Sequence, residues 1–342
     1  MKQNMHFTMK RVLYLLSIAF FLFSCSGHKE KDYSSLPPEL ATLTKNIDKS
    51  PKDAELYYLR AQYYYNQKQI EDAQKDILQS IKLDPNQSKY YVTLSDVYFA
   101  QRKTDDTEEM LEKAISMDPK NNEARLKLAE LYFHLKMYDF CNKTLDEALK
   151  LQNHNPKAHL IRAFSLKDQG DTVGAIRMLQ LAIDQNPKEV KAFLELGYIF
   201  QQKHDPLAIS YYKNALAVEP KNTEIRYNMA MMLQEMGQYE AAVEEYKNII
   251  AIDPNHKAAL HNIGYIYLIY EQKYEEAVAF FTKAIEVDPE FVNAVCNRAL
   301  AFEELGQYEN ARQDYLYSRQ LSENFEPAIQ GLNRLDKIQK RQ

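Results

Sequence analysis

Proline recurs at positions 51, 85, 119, 187, 220, 254 and 289, in steps of 34, 34, 68, 33, 34 and 35 residues. The double step contains Asn153, where a proline would keep the register. A period of 34 residues points to a helical array. Within each period the apolar and small residues form two helical patterns. The first occupies offsets 4, 7, 8 and 11 of the repeat and the second offsets 20, 24 and 27, each one face of a 3.6-residue helix. Proline at offset 32 blocks continuation of the second helix and opens the next turn. The frame gives eight repeats: 54–87, 88–121, 122–155, 156–189, 190–222, 223–256, 257–291 and 292–325. Repeat two shows Tyr91, Leu94, Ser95, Tyr98, Leu111, Ala114 and Pro119. Repeat six shows Met229, Ala230, Leu233, Gly237, Tyr239, Ala242, Tyr246 and Pro254. The small residues at offsets 8 and 20 have a mechanical reason. Two helices of a hairpin approach closely only where a side chain is nearly absent.

This pattern resembles the tetratricopeptide-repeat (TPR) family over residues 54–325. The resemblance implies an all-α fold, an α-solenoid in which antiparallel helix pairs stack into a right-handed superhelix. Departures are local. No tryptophan stands at offset 4, where Tyr57, Tyr91, Arg125, His159, Phe193, Arg226, Leu260 and Val295 are found. Cys141 takes a small position, and Glu323 replaces the last proline. Repeat five is one residue short near Pro206, and repeat seven one residue long near Tyr270. Leu36, Leu40, Leu43 and Ile47 form an apolar stripe on a helix before the first repeat, an N-terminal cap over 37–53. Ile329, Leu332, Leu335 and Ile338 do the same within 326–342. Solenoids need such polar-backed caps because terminal repeats otherwise expose their stacking faces. Two helices per repeat plus two caps make about 18 helices.

Lys10 and Arg11 precede an apolar run, Val12 to Phe23, followed by Ser24, Cys25 and a polar stretch. These are the parts of a secretory signal. The run has 12 residues, against about 20 needed to span a bilayer. Leu22-Phe23-Ser24-Cys25 resembles the lipobox of bacterial lipoproteins. That resemblance implies a signal peptide over 1–24, an acylated (palmitate-bearing) Cys25 and a flexible tether over 25–36. Met9 is a second candidate start, and the polar Ser26 after the cysteine resembles sorting to the outer membrane. The expected address is the cell envelope, on its periplasmic or outer surface.

Lys+Arg is 43 against Asp+Glu 48, and three of the basic residues lie in the first 24 with no acid. The acidic body that remains does not suit a phosphate backbone, so no nucleic-acid partner is expected. Three cysteines are too few for a disulfide framework. None of the eight histidines stands in an HExxH motif, and no P-loop, GxGxxG or GxSxG occurs. The histidines read as surface or groove residues. No cofactor, metal or catalytic residue is expected, and no enzyme activity.

By family resemblance, offsets 2, 5, 6, 9, 12 and 13 of each first helix line the concave groove. Offset 9 gives Gln62, Asp96 and Glu130, then Phe164, Tyr198, Met231, Tyr265 and Leu300. Offset 5 includes Tyr227, and offset 6 gives Asn228, Asn262 and Asn297 in successive repeats. This reads as a partner groove in the C-terminal half. Aromatic and thioether side chains would supply contact area, and an asparagine ladder would pair with an extended backbone. The competing reading is plain packing between neighbouring first helices. The expected function is a lipid-anchored scaffold or adaptor for a protein or extended peptide in envelope assembly, secretion or cell-wall machinery. The alternative is a regulatory subunit of an envelope enzyme, such as a glycosyltransferase or peptidoglycan hydrolase, or a glycan-binding lipoprotein.

Overall fold

The structure, a computed structural model, describes residues 33–340. The signal segment, Cys25 and the first part of the tether lie outside the described residues. Among the described residues there are 18 helices and no strand. They fall in two compact bodies that divide between Pro119 and Lys120. The first body holds α1 (Pro38–Lys49), α2 (Ala54–Asn66), α3 (Ile70–Leu83), α4 (Ser88–Ala100) and α5 (Thr104–Met117). The second holds α6 (Asn122–His134), α7 (Tyr138–Leu151), α8 (Pro156–Asp168), α9 (Thr172–Gln185), α10 (Val190–Gln202) and α11 (Leu207–Val218). It continues with α12 (Thr223–Glu235), α13 (Tyr239–Ile252), α14 (Lys257–Ile269), α15 (Tyr274–Val287), α16 (Val292–Glu304), α17 (Tyr308–Leu321) and α18 (Glu326–Gln339). Each first helix packs mainly on the second helix of its own repeat, and within each body that second helix packs on the next first helix. This is the stacked-pair arrangement the resemblance implies.

Local chemistry sets the helix ends. Several first helices are capped by a side chain that accepts from the first-turn amides: Asp53, Asn121, Asn155, Asn222 and the His256 ring. Such caps satisfy donors that no carbonyl of the helix can reach. Four outer turns use Asp-Pro. The Asp84, Asp253 and Asp288 carboxylates each accept from the amide two residues on, at 3.1 Å, an Asx turn with proline pre-set in the middle.

The inner turns share a left-handed residue. Positive φ occurs at Lys68, Arg102, Lys136, Gly170, His204, Gly237, Gln272 and Gly306, one per repeat. The next amide reaches back to the helix, as in Gln69 to Tyr64 (2.9 Å) and Gln238 to Leu233 (2.9 Å), the doubled closure of a Schellman cap. Only Gly170, Gly237 and Gly306 are free of the Cβ penalty there. In repeat seven the extra residue widens the loop, and Lys273 bonds the Tyr267 carbonyl at 2.9 Å. In repeat five the inner turn is intact and the missing residue shortens the second helix. α11 starts after Pro206 and has 12 residues, where the other second helices have 14.

The interior is a chain of small contact points filled by one large knob per repeat. At offset 8 stand Ala61, Ser95, Ala129, Ala163, Gly197, Ala230, Gly264 and Ala299, all buried. The knob at offset 24 is Ile77, Leu111, Leu145 and Leu179 in repeats one to four. Tyr212, Tyr246, Phe281 and Tyr315 follow in repeats five to eight. All eight are at most 1% exposed. A Cβ on Gly197 would lie 2.5 Å from Tyr212, and one on Gly264 2.8 Å from Phe281. Glycine at these two positions leaves the space the ring fills.

The end repeats carry a matching brace. Arg60 donates to Asp76 at 2.5 and 2.9 Å and to Thr44 at 3.3 Å. Arg298 donates to Asp314 at 2.7 and 2.9 Å and to Thr282 at 3.1 Å. Both are forked, largely desolvated pairs at the same two offsets. Arg334 of α18 forks onto Glu303 at 2.8 Å and reaches the Tyr315 hydroxyl at 3.0 Å, tying the cap down.

Candidate binding face

The first helices of the second body present a row of large side chains. Phe164, Met231 and Tyr265 are half-buried, and Tyr198 is 52% exposed. Lys167 lies 5.8 Å from the Phe164 ring and 5.7 Å from Tyr198, and pairs with Glu195 at 2.5 Å. Two of the offsets implied as groove-lining behave otherwise. Offset 5 is buried in four of the eight repeats: Val92, Leu126, Leu160 and Cys296 are each at most 8% exposed. Offset 12 turns toward the second helix in three repeats. There Gln201, Gln234 and Glu303 accept from the hydroxyls of Tyr212 (2.7 Å), Tyr246 (3.1 Å) and Tyr315 (2.7 Å). Burial raises the pKa of all three phenols, and for Tyr315 the Glu303 carboxylate adds to it.

The three asparagines do not present equivalent amides. Asn262 donates to the hydroxyls of Tyr246 (3.0 Å) and Tyr227 (3.2 Å). That fixes its amide orientation and aims its oxygen at His261 Nδ1, 3.1 Å away. His261 is held below the usual histidine pKa by burial, partly opposed by Asn262. A neutral ring donating from Nδ1 leaves Nε2 as an acceptor, which Asn297 fills at 3.0 Å. The result is one directional chain, Asn297 to His261 to Asn262 to Tyr246 to Gln234, joining α16, α14, α13 and α12. Asn228 is half-buried and its side chain makes no hydrogen bond with the described residues. Tyr227 lies 5.8 Å from the Tyr246 ring and 5.5 Å from His256, so it serves packing as much as the face.

A pocket of about 280 Å³ opens beside the row, between α6 and α8. Its floor is Phe133, Leu160, Ile161 and Phe164, with Glu130, Lys157 and Lys191 on the rim. Phe133 and Phe164 lie 6.2 Å apart, and Lys157 pairs with Glu130 at 3.2 Å. Such a concavity, apolar below and charged above, fits one apolar side chain of a partner. Sequence reasoning missed Phe133 and the lysines. Their signal was their place at offsets 12 and 2.

His159 corrects a sequence reading. It is 9% exposed, neither surface nor groove, and its ring Nε2 meets the Gln185 side-chain nitrogen at 3.2 Å. Burial, then Arg162, lowers its pKa. Cys141 and Cys296 are buried thiols pushed up to about 11 by desolvation, which disfavours the reactive thiolate. Among the described residues no group of three or more His, Cys, Asp or Glu is placed to hold a metal ion. No described helix is long and apolar enough to cross a membrane.

Known proteins share this architecture. Family models described as tetratricopeptide repeat match residues 54–87, 98–164, 206–263, 258–291 and 280–313. Tetratricopeptide repeat protein 6 of Homo sapiens is 26% identical over 144 residues, 42% of this chain but 28% of that protein's length. The C-terminal part of a TPR repeat-containing protein from Cytophaga hutchinsonii superposes with a TM-score of 0.61. It is 17% identical, covering 70% of this chain and 98% of that one. YrrB, described as a TPR protein with an unusual peptide-binding site, gives 0.46 at 23% identity, covering 54% of this chain and 95% of its own. With eight registered repeats, the stacked helix pairs and these matches in agreement, the chain belongs to the tetratricopeptide-repeat family.

Proposed function

We propose that this chain is a lipid-anchored cell-envelope scaffold that holds a protein or extended peptide on the face of its first helices, without catalysing a reaction itself. The observation that carries the reading is the solvent-facing row of Phe164, Tyr198, Met231 and Tyr265 beside the Phe133–Phe164 pocket. Large, adaptable side chains left half-exposed on a rigid helix row are what a partner can bury. The repeat core already holds its own knobs, so stability does not require this row to be apolar. The anchor rests on Leu22 to Cys25. Two acyl chains would hold the array at the membrane and raise its partner's effective concentration there.

Two measurements test the two halves. Metabolic labelling with an alkyne fatty acid should tag the wild type and leave Cys25→Ser untagged, with the variant released from membranes. Labelling of both, or of neither, contradicts the anchor. For the face, Tyr198→Ala combined with Phe164→Ala should abolish capture of envelope partners in pull-downs while the helical content holds. Unchanged capture would move binding to another face.

A further inference from the structure

The extra residue of repeat seven builds something the other repeats lack. It places Tyr270 in the widened inner loop, 45% exposed, stacked on Tyr239 of the preceding repeat at 3.9 Å and 17°. Tyr265 meets Tyr270 edge-on at 6.1 Å and lies parallel to His261 at 6.3 Å. A continuous aromatic step thus runs from the first-helix face to the inner-turn rim.

Its electrostatic setting is one-sided. The cations of α12, α14, α16 and the repeat-seven loop are all committed: Arg226 to Glu245, Lys257 to Asp288 at 2.6 Å, Lys273 to Glu271 at 2.5 Å and Arg298 to Asp314 at 2.7 Å. Carboxylates at nearby register positions are not. Glu235 and Glu304 end the first helices of the repeats on either side, at the offset where repeat seven has Ile269, and Glu240 follows Tyr239 in the chain. Glu240 and Glu304 have no ion pair among the described residues, and Glu235 has only the exposed His204 at 3.8 Å. Exposed phenol rings with uncompensated carboxylates beside them attract a flat, weakly hydrated cation most strongly, because the ring quadrupole and the carboxylates act in the same direction. The chain already makes this contact internally: Lys257 sits 5.6 Å over Phe291 and Lys273 5.3 Å over Tyr267.

From this juxtaposition we infer that the Tyr239–Tyr270–Tyr265 step is a docking point for an arginine- or lysine-bearing extended segment of the partner. The inference rests on the scaffold reading and names the chemistry of its partner. The cation stacks on the tyrosines while the uncommitted carboxylates of the flanking repeats, Glu235 and Glu304, add an attractive field. The rest of the segment runs along the first-helix row toward the Phe133–Phe164 pocket.

The test is an array of ten-residue peptides of varied composition, probed with the detergent-solubilised full chain, followed by solution affinities for the best binders. The expected result is capture of peptides enriched in arginine and lysine. For the best of these, Tyr270→Ala and the double variant Glu235→Gln/Glu304→Gln should each lose about five- to tenfold in affinity, from loss of one cation–aromatic or carboxylate contact. Raising the salt should weaken wild type more than the glutamine variant. Unchanged circular dichroism and melting of the variants, whose altered side chains are exposed, separates lost contact from lost fold. Capture of acidic or uncharged peptides, or of arginine peptides with no effect of either variant, overturns the inference and leaves the scaffold reading standing. Capture of no peptide, with a glycan panel bound instead, overturns both.

Discussion

Repeats one to four and repeats five to eight fill the same hole with different chemistry. In the first four the knob at offset 24 is aliphatic, and offset 12 holds Tyr65, Phe99, Phe133 and Lys167. In the last four the knob is aromatic, glycine appears at offset 8 in repeats five and seven, and offset 12 becomes Gln201, Gln234, Leu268 and Glu303. The pairing within that second group is informative. Three tyrosine knobs meet three polar acceptors, and the one phenylalanine knob, Phe281, meets the one leucine. A hydroxyl is carried into the interior only where the facing helix supplies an acceptor, because an unmet buried hydroxyl is costly. The aromatic solution also frees the first helix to carry polar groups inward, and from that start the His261 chain is built.

The comparison can be broken at several points. The largest effect is expected from Tyr246→Ala, which empties a fully buried aromatic site, takes one of two hydroxyl acceptors from the Asn262 amide and strands the Gln234 oxygen. It should cost about 4 kcal/mol in urea unfolding, more than Leu145→Ala at the equivalent aliphatic site. Gly197→Ala should cost about 2 kcal/mol, since its Cβ would lie 2.5 Å from the rigid Tyr212 ring. The same change at Gly264 should be milder, because there the gap to Phe281 is 2.8 Å. A double-mutant cycle sharpens the hydroxyl argument. Phe281→Tyr alone should destabilise by about 1–2 kcal/mol, and Leu268→Gln should restore part of that loss, giving a coupling of about 1 kcal/mol. Additive effects would sever the link between offsets 12 and 24.

Smaller effects come from the turns and from the histidine. Arg102→Gly and Lys136→Gly remove a Cβ from a left-handed residue and should stabilise by about 0.5 kcal/mol after the entropy of glycine is counted. Gly306→Ala should destabilise by about 1 kcal/mol. The burial of His261 gives a pH dependence whose sign follows from linkage. Its folded pKa lies below its unfolded one, so the unfolded chain binds the proton first. Stability contributed by the neutral ring is present above about pH 6.5 and falls as the pH drops below that. His261→Gln should flatten the melting-temperature profile below about pH 6.5. An unaltered slope would leave the buried His159 as the group that carries it.

The period, the helix pairs and the positions of the turns were legible from one chain because proline, glycine and small residues act locally. Pro119 ends a helix wherever it stands, and Ala114 fits a close approach whatever faces it. The face was harder to read. Offset 5 packs against a neighbouring first helix whose own residue decides the burial, so Leu160 and Leu126 are covered while Tyr227 is half-open. His159 stands where a large aromatic residue suits the fold, and its burial comes from that place in the repeat. Asn228, Asn262 and Asn297 look alike in sequence. They differ in structure because only Asn262 sits opposite the Tyr246 hydroxyl and only Asn297 opposite the His261 ring. The pocket at Phe133 is made where the side chains of successive first helices, 34 residues apart, happen to leave an apolar floor under a charged rim, which periodicity does not encode.

The claim that most needs testing is that partners are held on the first-helix face. In-cell crosslinking and mass spectrometry would compare the wild type with the double variant Tyr198→Ala/Tyr265→Ala, once the two proteins are shown to melt alike. The account predicts an envelope protein captured by wild type and lost from the variant, with an arginine- or lysine-bearing segment at the crosslink near Tyr270. Recovery of the same partners from both, crosslinked through the second helices, would contradict it.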